Sequence, residues 1–161
     1  MNWLRHLFPP SAHRLFPPAS LQRIAAAIAA GESRHDGEVM FAVEAGLPLA
    51  ALWRGATARM AAEAAFARLH TWDTARNNGV LVYLLLAEHH IEIVADRGLS
   101  MVAPEQWREV CAHIEQGMRQ GDAEAAVVAG IEAASDLLAR HFPALAGGGG
   151  GNELPDLPRI L

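Results

Sequence analysis

Two apolar runs stand out along the chain, residues 80–87 and 91–95, separated only by Glu88, His89 and His90. The first is too apolar for either side to face water, and the second has the β-branched bias of a strand. The pattern predicts a β-hairpin with the three polar residues as its turn. Ala87 then pairs with Ile91, and Val82 lies opposite Asp96. Asp73, Asn77, Asn78 and Asp96 gather at one end of the sheet, and the two histidines sit about 25 Å away at about 3.4 Å per residue.

Helical periodicity fills most of the remainder. Ser20 is placed to cap a helix carrying Leu21, Ile24 and Ile28 on one face and ending near Gly31. A polar loop, residues 32–38, precedes a strand over 39–45. Thr57 caps a helix through Met60, Phe66 and Leu69. Pro104 suits the first turn of a helix whose Trp107, Val110, Cys111, Ile114 and Met118 follow the 3.6-residue period. Gly121 breaks that helix, and Asp122 caps the next, which runs towards Phe142. The order α-β-α-β-β-α-α predicts a three-layer α/β/α sandwich around a small mixed sheet, the first strand parallel to its neighbour and the last antiparallel. The expected organisation is an extended segment over 1–18 with two Phe-Pro-Pro motifs, an α/β domain over 19–146, and a tail over 147–161. Five glycines at 147–151 link the domain to NELPDLPRIL, read as a strap that folds back onto it.

Composition narrows the function classes. The chain has 161 residues and a formal net charge of −5, with no basic run, which argues against nucleic acid as a partner. All thirteen cationic side chains are arginine, so Schiff-base and phosphate-loop lysine chemistry are excluded. Cys111 is the single cysteine, expected to be a buried structural thiol. No serine sits in a nucleophile elbow, and no GxGxxG occurs. Trp53, Trp72 and Trp107 lie in or beside apolar patterns and are expected in the core. Neither a signal peptide nor an 18-residue apolar run is present, and a soluble cytoplasmic protein is the expectation.

Asp73, Asn77, Asn78 and Asp96 come from two loops and supply the oxygen donors that calcium or magnesium favours. A parallel first strand would bring His35, Asp36 and Glu38 to the same end. Ordinary turn chemistry explains the Asn-Gly and Asp-Arg-Gly sequences equally well, with Arg97 expected to neutralise Asp96.

The motifs HRLFP at 13–17, AIAAGESRHDGEVMFAVE at 27–44, the block at 72–98 and NELPD at 152–156 resemble the TPM domain family, in particular its short bacterial branch without a transmembrane tail. The resemblance implies a mixed α/β sandwich with a divalent-cation site, often read as calcium-binding. Some members are described as acid phosphatases, others as assembly or modulator proteins. Carried over by position, the family's ligands fall on Asp73, Asn78 and Asp96. Longer members commonly have a Gly-Tyr-Gly-like exit where this chain has Asp96-Arg97-Gly98, and Arg97 would weaken a cation there. The expected function is a cation-binding module that assembles with protein partners at or near a membrane. The alternative is a metal-dependent acid phosphatase, a phosphomonoesterase with an acidic optimum and His35 as its acid or base.

Overall fold

The computed structural model describes residues 4–144 and 152–161. The glycine run at 147–151 lies outside the described residues. A four-stranded sheet in the order β3-β2-β1-β4 forms the middle layer, from β1 (Glu38–Glu44), β2 (Gly79–Leu85), β3 (His90–Ala95) and β4 (Arg159–Ile160). β1 is parallel to both β2 and β4, and β3 is antiparallel to β2. The mixed β3-β2-β1 part of the sheet therefore follows the hydrophobic pattern, whereas β4 and the short helix at Leu49–Trp53 are not expected from it. β4 carries the C-terminal segment back onto β1, where Leu161 N donates to Val43 O (2.8 Å).

Alternation splits the apolar side chains into two cores. On one face Val80, Val82, Leu84, Ile91 and Ile93 meet α3 (Pro18–Glu32), α6 (Pro104–Arg119) and α7 (Ala123–His141). On the other, Leu81, Tyr83, Leu85 and Val94 meet α4 (Leu49–Trp53) and α5 (Ala58–Arg68). The small Ala58, Ala62 and Ala65 let α5 approach the sheet closely. Each fully buried large apolar side chain contributes about 1.5–3 kcal/mol relative to exposure. Thr57 and Asp122 cap α5 and α7 as expected, accepting from Met60 N (3.2 Å) and Ala125 N (3.0 Å).

Several expectations are corrected. Residues 4–18 are not simply extended: Leu4–Leu7 (α1) and Ala12–Leu15 (α2) each form a helical turn, and Phe16 is buried. α3 starts at Pro18 after Pro17, because proline at the first helical position loses no hydrogen bond, so Ser20 lies inside the helix and is buried. Trp107 is in the core, whereas Trp53 and Trp72 are exposed.

The hairpin register also differs. Val82 pairs with Ile93 and Leu85 with His90, while Leu86–Glu88 form a 3-10 turn closed by His89 at φ 51°. The turn packs on one side and opens on the other: Leu86 and Ala87 are buried, while His89 is exposed. Register is normally specified by one polar face. β2 is buried along both faces, so its own sequence cannot select between pairings three residues apart. The observed pairing puts Ile91 and Ile93 on the face of Val80, Val82 and Leu84. It also moves Asp96 from Val82 to Gly79, where Asp96 N donates to Gly79 O (2.9 Å).

Candidate functional site

The leading end of β2, where β1 also begins and β3 ends, gathers the polar loops. Residues 71–78 fold back over the start of β2: Asn78 N donates to Thr74 Oγ1 (3.0 Å), and Asn77 N to Thr74 O (3.2 Å). Gly79 is required because a Cβ there would overlap Thr71 O. Gly98 performs the same service for the second loop. Its N donates to Asn77 O (2.8 Å), and a Cβ would overlap the carbonyl oxygens of Arg76 and Asn77. These two close approaches bring the loop before β2 against the exit from β3.

Two side-chain oxygens at this end are buried without a partner, Asn78 Oδ1 and Asp96 Oδ2. Asn78 is only 6% exposed, and its Nδ2 donates to Asp36 O, which fixes the amide. Asp96 Oδ1 accepts from Arg97 N (2.7 Å). The Arg97 Nε donates to Asn77 Oδ1 (3.2 Å), so the expected pairing of its guanidinium with Asp96 gives way to an amide contact. A buried carboxylate oxygen with no donor is costly, and such oxygens are what a bound cation would satisfy. Asp96 lies opposite Gly79, one residue out of phase with Asn78 across the ladder. Asp73 is exposed and makes only a backbone bond, its N donating to His70 O (2.9 Å). Among the described residues, no three His, Cys, Asp or Glu side chains are arranged to hold a metal ion. The unpartnered buried oxygens at this end are therefore one amide and one carboxylate oxygen.

The parallel pairing of β1 does deliver His35, Asp36 and Glu38 to this end, but the two carboxylates are committed. The Asp36 carboxylate pairs with Arg76. Glu38 Oε2 accepts from Glu153 N and Leu154 N (3.2 Å each), which latches the C-terminal strap to the start of β1. Glu153 Oε2 in turn accepts from Ala75 N (2.9 Å). His35 is buried, and burial lowers its pKa to about 4. Its Nδ1 accepts from Gly37 N (3.2 Å), so Nε2 carries the proton. That nitrogen and Ser135 Oγ are both buried without partners beside Gly31.

Reading the sequence missed Glu32, at the end of α3. It accepts from Val39 N (2.8 Å), and burial, with Glu38 and Asp156 nearby, raises its pKa to about 8. Its only sequence signal was a carboxylate just beyond Gly31, and its neighbours come from distant segments. Burial also pushes the Cys111 thiol up to about 12, which fits a structural rather than nucleophilic cysteine.

A cleft of about 580 Å³ borders this end along the outer edge of β3, lined among others by Asp96, Arg97, Ser100, Trp107 and Arg108. The β3 edge above it is mostly covered by side chains: Ile91 N donates to Glu115 Oε1 (3.1 Å), and Arg59 Nη1 donates to Ile93 O (2.7 Å). Such covering protects an edge strand from pairing with other chains.

Known proteins place this architecture. The fold matches the NMR structure of BA42 protein from the psychrophilic bacterium Bizionia argentinensis sp. nov. with a TM-score of 0.81. The two chains are 24% identical over 94% of this chain and 99% of that one, so the likeness speaks to fold. No curated protein sequence matches. No helix among the described residues is long and apolar enough to cross a membrane. Residues 12–137 match the TPM domain, and the chain belongs to that family.

Proposed function

We propose that this TPM domain binds a divalent cation, calcium first and magnesium as the alternative, and acts as a binding and assembly module for a membrane-associated complex. The observation that carries the reading is the pair of buried, unpartnered oxygens, Asn78 Oδ1 and Asp96 Oδ2, where two loops are forced together by Gly79 and Gly98. Asn78 and Asp96 leave the ladder on alternate faces, so each would have to turn towards a shared ion, and Asp73 would join only by moving in from its exposed position. Bound there, a cation would neutralise the Asp96 carboxylate and tie the loop before β2 to the exit from β3. That change suits a partner that reads loop conformation. The phosphomonoesterase alternative has less support, because His35, its acid or base, is buried.

The test is a calcium and a magnesium titration of the metal-stripped protein, followed by thermal unfolding and amide NMR shifts. A hundredfold excess over the dissociation constant raises stability by about 2.7 kcal/mol. The expected result is stabilisation with shifts at residues 73–79 and 95–98, lost in Asp96→Asn. No response to either ion overturns the reading. Turnover of an aryl phosphate that disappears in Asp96→Asn would favour the hydrolase instead.

A further inference from the structure

The opposite end of the sheet has an arrangement that the cation site does not use. α1 is inside out. Its one polar ring that turns inward, His6, is buried, while Leu4, Leu7 and Phe8 face solvent, Phe8 being 85% exposed. The i, i+3 spacing puts Leu4 and Leu7 on one side of the turn, and Phe8 follows it directly. The orientation is pinned rather than loose. His6 Nδ1 accepts from Leu47 N (3.1 Å), so its Nε2 carries the proton and donates to Glu88 Oε1 at the hairpin tip (3.1 Å). Pro9 and the His6 backbone also pack against Gly46. α4 begins two residues after Leu47 and ends at Trp53, which is 88% exposed. The chain length between them keeps Trp53 within about 15 Å of Leu47.

Charge says what would cover this surface. Residues 1–31 carry three arginines and no carboxylate, whereas the rest of the chain carries ten arginines against eighteen carboxylates. Arg5 is exposed within α1, Arg14 is exposed in α2 next to the exposed Leu15, and Arg54 follows Trp53. None of the three is in an ion pair among the described residues. Two carboxylates at this end are engaged, Glu88 by His6 and Glu44 by the Tyr83 hydroxyl. An acidic protein thus presents exposed aromatic and aliphatic side chains together with unpaired arginines in residues 4–15 and 53–54. Interfacial segments of bilayer-bound proteins combine the same features, apolar residues for the acyl boundary and cations for anionic headgroups.

We infer that the α1–α4 end is a docking surface for an anionic lipid bilayer, with Phe8, Leu7, Leu4 and Trp53 entering the interface and Arg5, Arg14 and Arg54 meeting the headgroups. Docking this way leaves the cation end pointing away from the membrane, and the inference stands without that site being real.

The experiment is co-sedimentation of the full chain with vesicles of phosphatidylcholine alone and of phosphatidylcholine containing phosphatidylglycerol, with Trp emission recorded. The protein is expected to partition onto the anionic vesicles, less so at high salt, with a blue shift that Trp53→Ser reduces. The double variant Leu7→Ser and Phe8→Ser should lose at least about tenfold in partition. Arg5→Gln should lose about fivefold, the equivalent of about 1 kcal/mol per cation near the surface. Met101→Ser, at another exposed apolar residue near the opposite end, should leave partition unchanged. No partition onto either vesicle overturns the inference, as does equal partition by the double variant and the Met101 control. A concentration-dependent dimer that the double variant abolishes would identify a second copy of the chain as the occupant and also overturn it.

Discussion

The two ends of the sheet have opposite relations between polarity and burial. At the leading end of β2, polar atoms are turned inward and left without partners: Asn78 Oδ1, Asp96 Oδ2 and His35 Nε2. At the far end, the inward polar group, His6, is bonded through both ring nitrogens, and apolar side chains are turned outward. Unsatisfied buried oxygens and exposed apolar rings are both costs to the isolated fold, and each is relieved by a different kind of partner. The comparison separates a place suited to a small cation from a place suited to an apolar, anionic surface.

The largest effect expected is at the leading end. Gly98→Ala places a Cβ on the carbonyl oxygens of Arg76 and Asn77, which belong to backbone that cannot rotate away. Separation of the two loops should cost about 3 kcal/mol or more in urea unfolding and should abolish any calcium response. Unchanged stability would mean the loops are not held together as described.

Acid should next distinguish the two ends. His35 has a folded pKa of about 4 against about 6.5 unfolded. The unfolded chain then binds the extra proton as pH falls from about 6.5 to 4, so stability is present above that window and is lost within it. The loss reaches on the order of 3 kcal/mol, since one pKa unit is about 1.4 kcal/mol. His35→Gln should flatten that acid limb when unfolding is followed from pH 7 to pH 4, and an unaltered limb would assign it elsewhere. Glu32 acts with the opposite sign. Its raised pKa means stability is greatest below about pH 4.5 and declines as pH rises through about 8.

The smallest effects belong to the far end and sharpen the contrast between pinned and exposed groups. His6→Ala removes two hydrogen bonds that hold α1 and should cost about 1–2 kcal/mol. Phe8→Ser changes an exposed ring and should stay within about 0.5 kcal/mol in the same denaturant series. Equal losses in the two variants would show that Phe8 packs rather than faces solvent.

The sequence by itself determined the four longer helices, the central hairpin and the layered α/β order, because apolar spacing and capping residues act locally. Thr57, Pro104 and Asp122 mark helix starts where the structure has them. It also placed Asn78 and Asp96 at strand ends, one just before β2 and one just after β3. The tertiary structure alone decided the rest. β2 is apolar on both faces, so the partner strand and the packed turn at Leu86–Glu88 chose its register and set Asp96 beside Gly79. Trp53 and Trp72 follow local apolar patterns yet lie outside, because a one-turn α4 and the loop after α5 have no layer above them. The roles of Glu38 and Glu32 depend on Leu154 and Asp156 arriving from the far end of the chain. Local periodicity can state which face of an element is apolar. Which distant segment meets that face, and which buried oxygens are left without a donor, is fixed only when the layers close.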